Sequence, residues 1–126
     1  MAKLIVDTNF LVSCAKQKID FYHYAMLNAF EILVPEQVIT EITKIISSTK
    51  KKHDKLAASL ALKLLSMAKY TSVRLNNNYV DRGIVSFAKE NPRVVVATLD
   101  KEIQKQIKNP VLIIRGQNQL EIFSAF

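Results

Sequence analysis

One cysteine, Cys14, stands in a chain of 126 residues, so there is no internal disulfide framework and no zinc ribbon. Histidine is nearly as scarce. His23 and His53 lie far apart without ligand spacing, and they read as surface or helix residues rather than metal ligands. Long apolar runs are missing as well. Lys3 and Asp7 interrupt the only apolar stretch near the N-terminus, which argues against a signal peptide. No uncharged apolar run approaches a membrane span, so the reading is a cytoplasmic protein with no membrane partner. Internal repeats and linkers are absent, and residues 1–126 read as one domain. Acids are few, eleven against eighteen Lys and Arg, for a net charge of +7. That balance suggests a polyanionic partner such as RNA or DNA, although a solvated Lys-rich surface gives the same charge. In so basic a chain, an acid set among apolar residues needs a physical reason.

What is present is a core. Apolar residues make up 49% of the chain, which excludes global disorder. Leu4-Ile5-Val6 is a continuous apolar run, the pattern of a strand buried on both faces in a parallel sheet. Thr8 is placed to cap a short helix through residue 15, and residues 20–31 form an aromatic-rich helical stretch. Ile32-Leu33-Val34 reads as a strand, and Pro35 opens a helix to about residue 47. Residues 48–53 read as an exposed loop, and Asp54 caps a helix over residues 55–69. Strands follow at 71–75, 94–97 and 111–114, with helices at 79–90 and 100–108 and an edge strand at 120–123. Strands alternating with helices predict an α/β three-layer sandwich, a mostly parallel central sheet flanked by helices.

Four acids stand apart from the solvated faces. Asp7 follows the first buried strand, and Asp100 follows Val94-Val95-Val96-Ala97. In open α/β sheets the functional crevice lies outside the carboxyl ends of the strands. Either acid alone is better explained as a helix N-cap. Glu41 falls on the edge of the helical stripe Val38, Ile42, Ile45, Ile46. Asp81 has Ile84, Val85 and Ala88 at i+3, i+4 and i+7, which predicts that it shares their inward face. Converging carboxylates repel unless a divalent cation neutralises them, and an all-carboxylate set suits Mg²⁺ or Mn²⁺. An acidic metal site on a basic surface is what a nuclease needs.

At these residues the sequence resembles the PIN-domain ribonuclease family. The matching pieces are Ile5-Val6-Asp7-Thr8-Asn9-Phe10-Leu11 and Val34-Pro35-Glu36-Gln37-Val38-Ile39-Thr40-Glu41-Ile42. Asp81-Arg82-Gly83-Ile84 with Ala88 comes next, and Val95-Val96-Ala97-Thr98-Leu99-Asp100-Lys101-Glu102-Ile103 is last. Each piece is weak alone, but together they run in family order across nearly the whole chain. The resemblance implies a PIN-like fold and a metal-dependent endoribonuclease, with Asp7, Glu41, Asp81 and Asp100 as the catalytic and metal-binding acids. It implies Asn9 and Thr98 as supporting polar residues. The pattern is most similar to the ribosomal-RNA-processing PIN proteins of archaea and eukaryotes, and toxin-type PIN ribonucleases of toxin–antitoxin pairs are the alternative. One departure is that the third motif carries a single acid, with Arg82 where many relatives have a second.

The expected chemistry is attack on phosphorus by water activated at Mg²⁺ or Mn²⁺. Arg82, Lys101 and Lys105 are candidates to hold the RNA backbone, with Lys50, Lys51 and Lys52 extending that surface. A non-catalytic RNA-binding scaffold would be signalled by a lost acid, and none of the four is missing. An aspartyl phosphatase usually has a second Asp two residues after the first, where this chain has Asn9. The protein partner implied is an antitoxin or a processing factor. A homodimer is expected as well, because apolar residues, Leu62 among them, cover a wide sector of the 55–69 helix. The aromatic stretch around Tyr24 has a similar excess.

Overall fold

A strand buried on both faces has to lie inside a sheet, and Leu4, Ile5 and Val6 have no exposed surface. They end β1 (Ala2–Val6), an inner strand of a six-stranded sheet. The computed structural model describes residues 2–124. After β1 come α1 (Thr8–Gln17), α2 (Phe21–Leu27), β2 (Phe30–Pro35), α3 (Glu36–Ser48), α4 (Lys52–Met67) and β3 (Thr71–Val73). Then follow α5 (Val80–Glu90), β4 (Val95–Ala97), α6 (Lys101–Gln106), β5 (Val111–Arg115) and β6 (Gln119–Phe123).

The strand order is β3-β2-β1-β4-β5-β6. β1 pairs in parallel with β2, Leu4 opposite Ile32, and with β4, Val6 opposite Ala97. β3 and β5 extend the sheet in parallel, and β6 returns antiparallel to β5. From β1 the chain steps outward to β2 and β3, then crosses back to β4 and steps outward the other way. Right-handed crossovers in opposite directions put their helices on opposite faces. Accordingly α4 packs against α1 and α3, while α5 packs against α6. The direction reverses between β1 and β4, so the crevice of this sheet opens where Asp7 and Asp100 leave their strands.

Several boundaries differ from the sequence reading. The aromatic helix stops at Leu27, because the Asn28 amide donates to the Tyr24 carbonyl and Ala29 takes a left-handed φ of 55°. Phe30 and Glu31 are then drawn into β2 by pairing with Ala2 and Lys3. α4 begins at Lys52, so Lys51 and Lys52 belong to a helix start rather than a loop. Asp54 lies in the first turn of α4 and not at its cap, and it accepts from Lys16 at 2.7 Å. Thr8 is not a cap either; Asp7 occupies that position, and the Thr8 hydroxyl is buried without a partner. β3 is short and sits on the sheet edge. Leu62 and Tyr24 pack against the core, so neither is the exposed apolar residue expected of a dimer face.

The carboxyl end of α5 is tied to the start of β4 by one buried side chain. Asn109 Nδ2 donates to the carbonyls of Ala88, Asn91 and Val94 at 3.1, 2.9 and 3.0 Å. Asn109→Ala leaves those oxygens short of a donor and should cost about 1–3 kcal/mol. Urea unfolding checks it: an unchanged midpoint would show that the three bonds add nothing to stability.

Candidate active site

Asp7 sits where β1 has stopped and α1 has not begun. Its N–H donates to the Ala97 carbonyl at 3.0 Å, one last rung between β1 and the chain leaving β4. The side chain is only 5% exposed. Thr98, fully buried, donates its hydroxyl to Asp7 Oδ2 at 2.8 Å. The same oxygen of Thr98 accepts from the Asp100 N–H at 3.1 Å. One hydroxyl therefore holds the first carboxylate and the turn that carries the fourth. Asp100 is half-buried and caps α6, its Oδ1 accepting from the Glu102 N–H at 2.9 Å.

Burial pushes the Asp7 carboxyl up to about 6, from an ordinary 3.8. The bonds from Thr98 and from the Thr8 N–H pull it down, and the charges of Asp81 and Glu41 push it up further. Those two acids therefore lie within electrostatic reach of Asp7. Glu41 is half-buried on α3. Asp81 is exposed, not inward as its spacing to Ile84, Val85 and Ala88 predicted. It occupies the first turn of α5, where Val80 and Gly83 are buried while Asp81 and Arg82 face solvent.

The acids are gathered without closing into a cage. Among the described residues no three His, Cys, Asp or Glu side chains stand close enough together to hold a metal ion. Their chemistry nevertheless fits a hard divalent cation. All donors are oxygens, and the ionisation of Asp7 is opposed by burial and by two like charges. No Lys or Arg forms an ion pair with Asp7 among the described residues.

The basic residues divide into two groups. Beside Asp81 a shallow cleft of about 280 Å³ is lined by Arg82, Val85, Ser86, Lys89 and Gln106. The Arg82 guanidinium lies 5.1 Å from the centre of the exposed Tyr79 ring. Lys101 and Lys105 are exposed on α6, and Lys105 approaches Glu102 at 3.5 Å. Lys50, Lys51 and Lys52 lie past the far end of α3, separated from Glu41 by about 10 Å of helix rise. Asn9 is exposed in the first turn of α1 and is not held the way Thr98 is. Lys89 escaped the sequence reading, although Arg82, Ser86 and Lys89 share one face of α5 at helical spacing.

A larger cavity, about 690 Å³, lies elsewhere, between α2, the start of β2 and the chain joining α4 to β3. Size alone would favour it. However, its lining from β2 is Phe30, Glu31 and Ile32, the amino half of the strand, away from the carboxyl edge that carries Asp7. Its two acids also have partners already. Asp20 accepts from the His23 N–H, and Glu31 accepts from the Thr71 hydroxyl.

Residues 4–117 match the family described as PIN-like domain. Over 130 aligned residues the chain is 36% identical to ribonuclease VapC4 of Methanocaldococcus jannaschii, covering 98% of both sequences. The fold is similar to the solved structure of the PIN domain endonuclease Utp24, with a TM-score of 0.78. That match has 21% identity and covers 98% of this chain and 92% of the other.

The raised Asp7 carboxyl links the site to stability. Between pH 3.8 and about 6 the folded chain holds a proton on Asp7 that the unfolded chain has released. This contribution is full below pH 3.8 and is lost as the pH rises through about 6. Asp7→Asn removes the loss. With EDTA present, the variant should be more stable than wild type at pH 7.5 by on the order of 2–3 kcal/mol. Near pH 4 the two should be equal. Equal melting temperatures at pH 7.5 would show that ionised Asp7 carries no strain.

Proposed function

We propose, since the chain belongs to the PIN-like domain family, that it is a metal-dependent endoribonuclease acting in ribosomal or other RNA processing. The observation that carries this reading is the buried Asp7 carboxylate at the point where the sheet reverses direction, within the field of Glu41 and Asp81. Such a carboxylate costs stability when ionised alone and gains it beside a divalent cation. The relative's name, ribonuclease, supports the substrate class.

In this reading Asp7 and Asp100 would hold Mg²⁺ or Mn²⁺, with Glu41 and Asp81 completing the set directly or through water. Such an ion supplies positive charge against the phosphodiester and Lewis acidity toward the attacking water. Thr98 does the positioning. By donating to Asp7 and accepting from the Asp100 N–H, it locks the Asp7 carboxylate against rotation and sets it relative to Asp100. Asn9, exposed in the first turn of α1, would orient water or substrate. Arg82 and Lys89 beside Asp81, with Lys101 and Lys105 on α6, would hold the RNA backbone; the Lys50–Lys52 junction would meet only a longer RNA.

Helix faces left apolar support a protein partner. Met26 and Leu27 of α2 are each 69% exposed, and Leu56 and Met67 of α4 are 61% and 74% exposed. A second copy of this chain would bury them by two-fold symmetry. The same faces favour the second reading, a toxin-type PIN ribonuclease whose antitoxin covers them.

Two measurements test these readings. Asp7→Asn and Asp100→Asn should each abolish Mn²⁺-stimulated cleavage of single-stranded RNA while circular dichroism stays that of wild type. Cleavage at the wild-type rate by both would remove the site assignment. Light scattering at micromolar concentration should give twice the chain mass, and Leu56→Asp should halve it. A single-chain mass for the wild type rejects the homodimer.

A further inference from the structure

Glu41 and Asp81 sit on different helices, and something must set the distance between those helices. β2 ends at Pro35 and turns into α3, so its backbone can no longer pair with the chain that continues past β3. The last rung between the two strands is Pro35 opposite Val73. Two residues further along each chain, the Gln37 side chain takes over. Nε2 donates to the Leu75 carbonyl at 2.9 Å and to the Asn77 carbonyl at 3.4 Å. Oε1 accepts from the Leu75 N–H at 3.2 Å. A primary amide offers donor and acceptor together, as a strand's backbone does. Asparagine has the same group on a shorter stem.

The connection continues on both sides. Gln37 lies one turn before Glu41 on α3. Leu75 lies against α5, and Gly83 approaches it so closely that a methyl group there would stand 2.8 Å from Leu75 Cβ. Asn77 Oδ1 accepts from the Tyr79 N–H at 2.9 Å, at the start of α5. Asp81 is in the turn that follows.

We propose that Gln37 is a positioning residue: its amide pairs with the chain before α5 and so fixes Asp81 relative to Glu41. The inference rests on the metal-site reading above. It predicts that loss of this amide weakens metal binding through displacement of Asp81, with every carboxylate still in place.

The test measures Mn²⁺ binding by calorimetry, and hydrogen exchange at the Leu75 amide, in wild type, Gln37→Met, Gln37→Asn and Asn109→Ala. Gln37→Met should bind Mn²⁺ about tenfold more weakly and exchange faster at Leu75. Gln37→Asn should shift both readouts the same way, and it serves if the Met variant does not fold. Asn109→Ala loosens the other end of α5, so it should lose stability and keep wild-type affinity. Wild-type affinity in both Gln37 variants overturns the inference and leaves the metal site standing. Equal weakening in Asn109→Ala also overturns it, because general loosening of α5 would then suffice. A wild-type chain that binds no Mn²⁺ overturns the metal-site reading and the inference together.

Discussion

A carboxylate held in the sheet at the end of a strand with no exposed surface is the constraint on which the rest depends. β1 is central because Leu4, Ile5 and Val6 need apolar cover on both faces and partners on both edges. Asp7 is the first residue past that cover; its N–H still pairs with the Ala97 carbonyl, and the residue is only 5% exposed. Burial therefore raises its carboxyl, and hydrogen bonds from Thr98 and from the Thr8 N–H offset part of that rise. No cationic side chain pairs with it among the described residues. A group left this way destabilises the fold when ionised, and strain of that kind is typical of sites built to hold something else.

The topology explains how acids so far apart in the chain come near one another. Parallel strands send every connection out of the same edge, so the residues after β1 and after β4 emerge side by side. α3 starts at that edge after β2. α5 starts there too, because the chain after β3 is held against α3. Glu41 and Asp81 thus reach Asp7 from opposite faces of the sheet. The four acids share no local sequence; they share an edge.

Part of this was legible in the residues and part was not. β1 and β4 are continuous apolar runs, which only a two-face-buried strand explains, and the acids after them follow at once. The outward position of Asp81 was not legible. Its spacing to Ile84, Val85 and Ala88 is that of an inward residue, but the buried face of α5 is centred on Val80, Ile84 and Ala88, and Asp81 stands at its margin in solvent. The end of α2 at Leu27 was hidden because the competing force, pairing of Phe30 and Glu31 with β1, is a long-range contact. Gln37 was hidden for the same reason: its partner is a backbone segment 38 residues away. Thr98 was visible only through the resemblance, since a hydroxyl after a strand has no distinctive local pattern.

The basic surface and the acidic site are compatible because they act at different ranges. With an excess of seven positive charges, the chain attracts a polyanion from beyond contact, and that field fades over roughly 8 Å in physiological salt. At contact the carboxylates would repel a phosphate, and among the described residues no cation forms an ion pair with any of the four acids. Arg82 lies beside Tyr79 and Lys89 follows on the same face of α5, both next to Asp81 and neither paired with it. Placed among the acids, these cations would stabilise Asp7 as an internal ion pair and close the site to a divalent ion. Unpaired with it, they leave the Asp7 carboxylate unneutralised, which is the condition under which a divalent cation gains most by binding there.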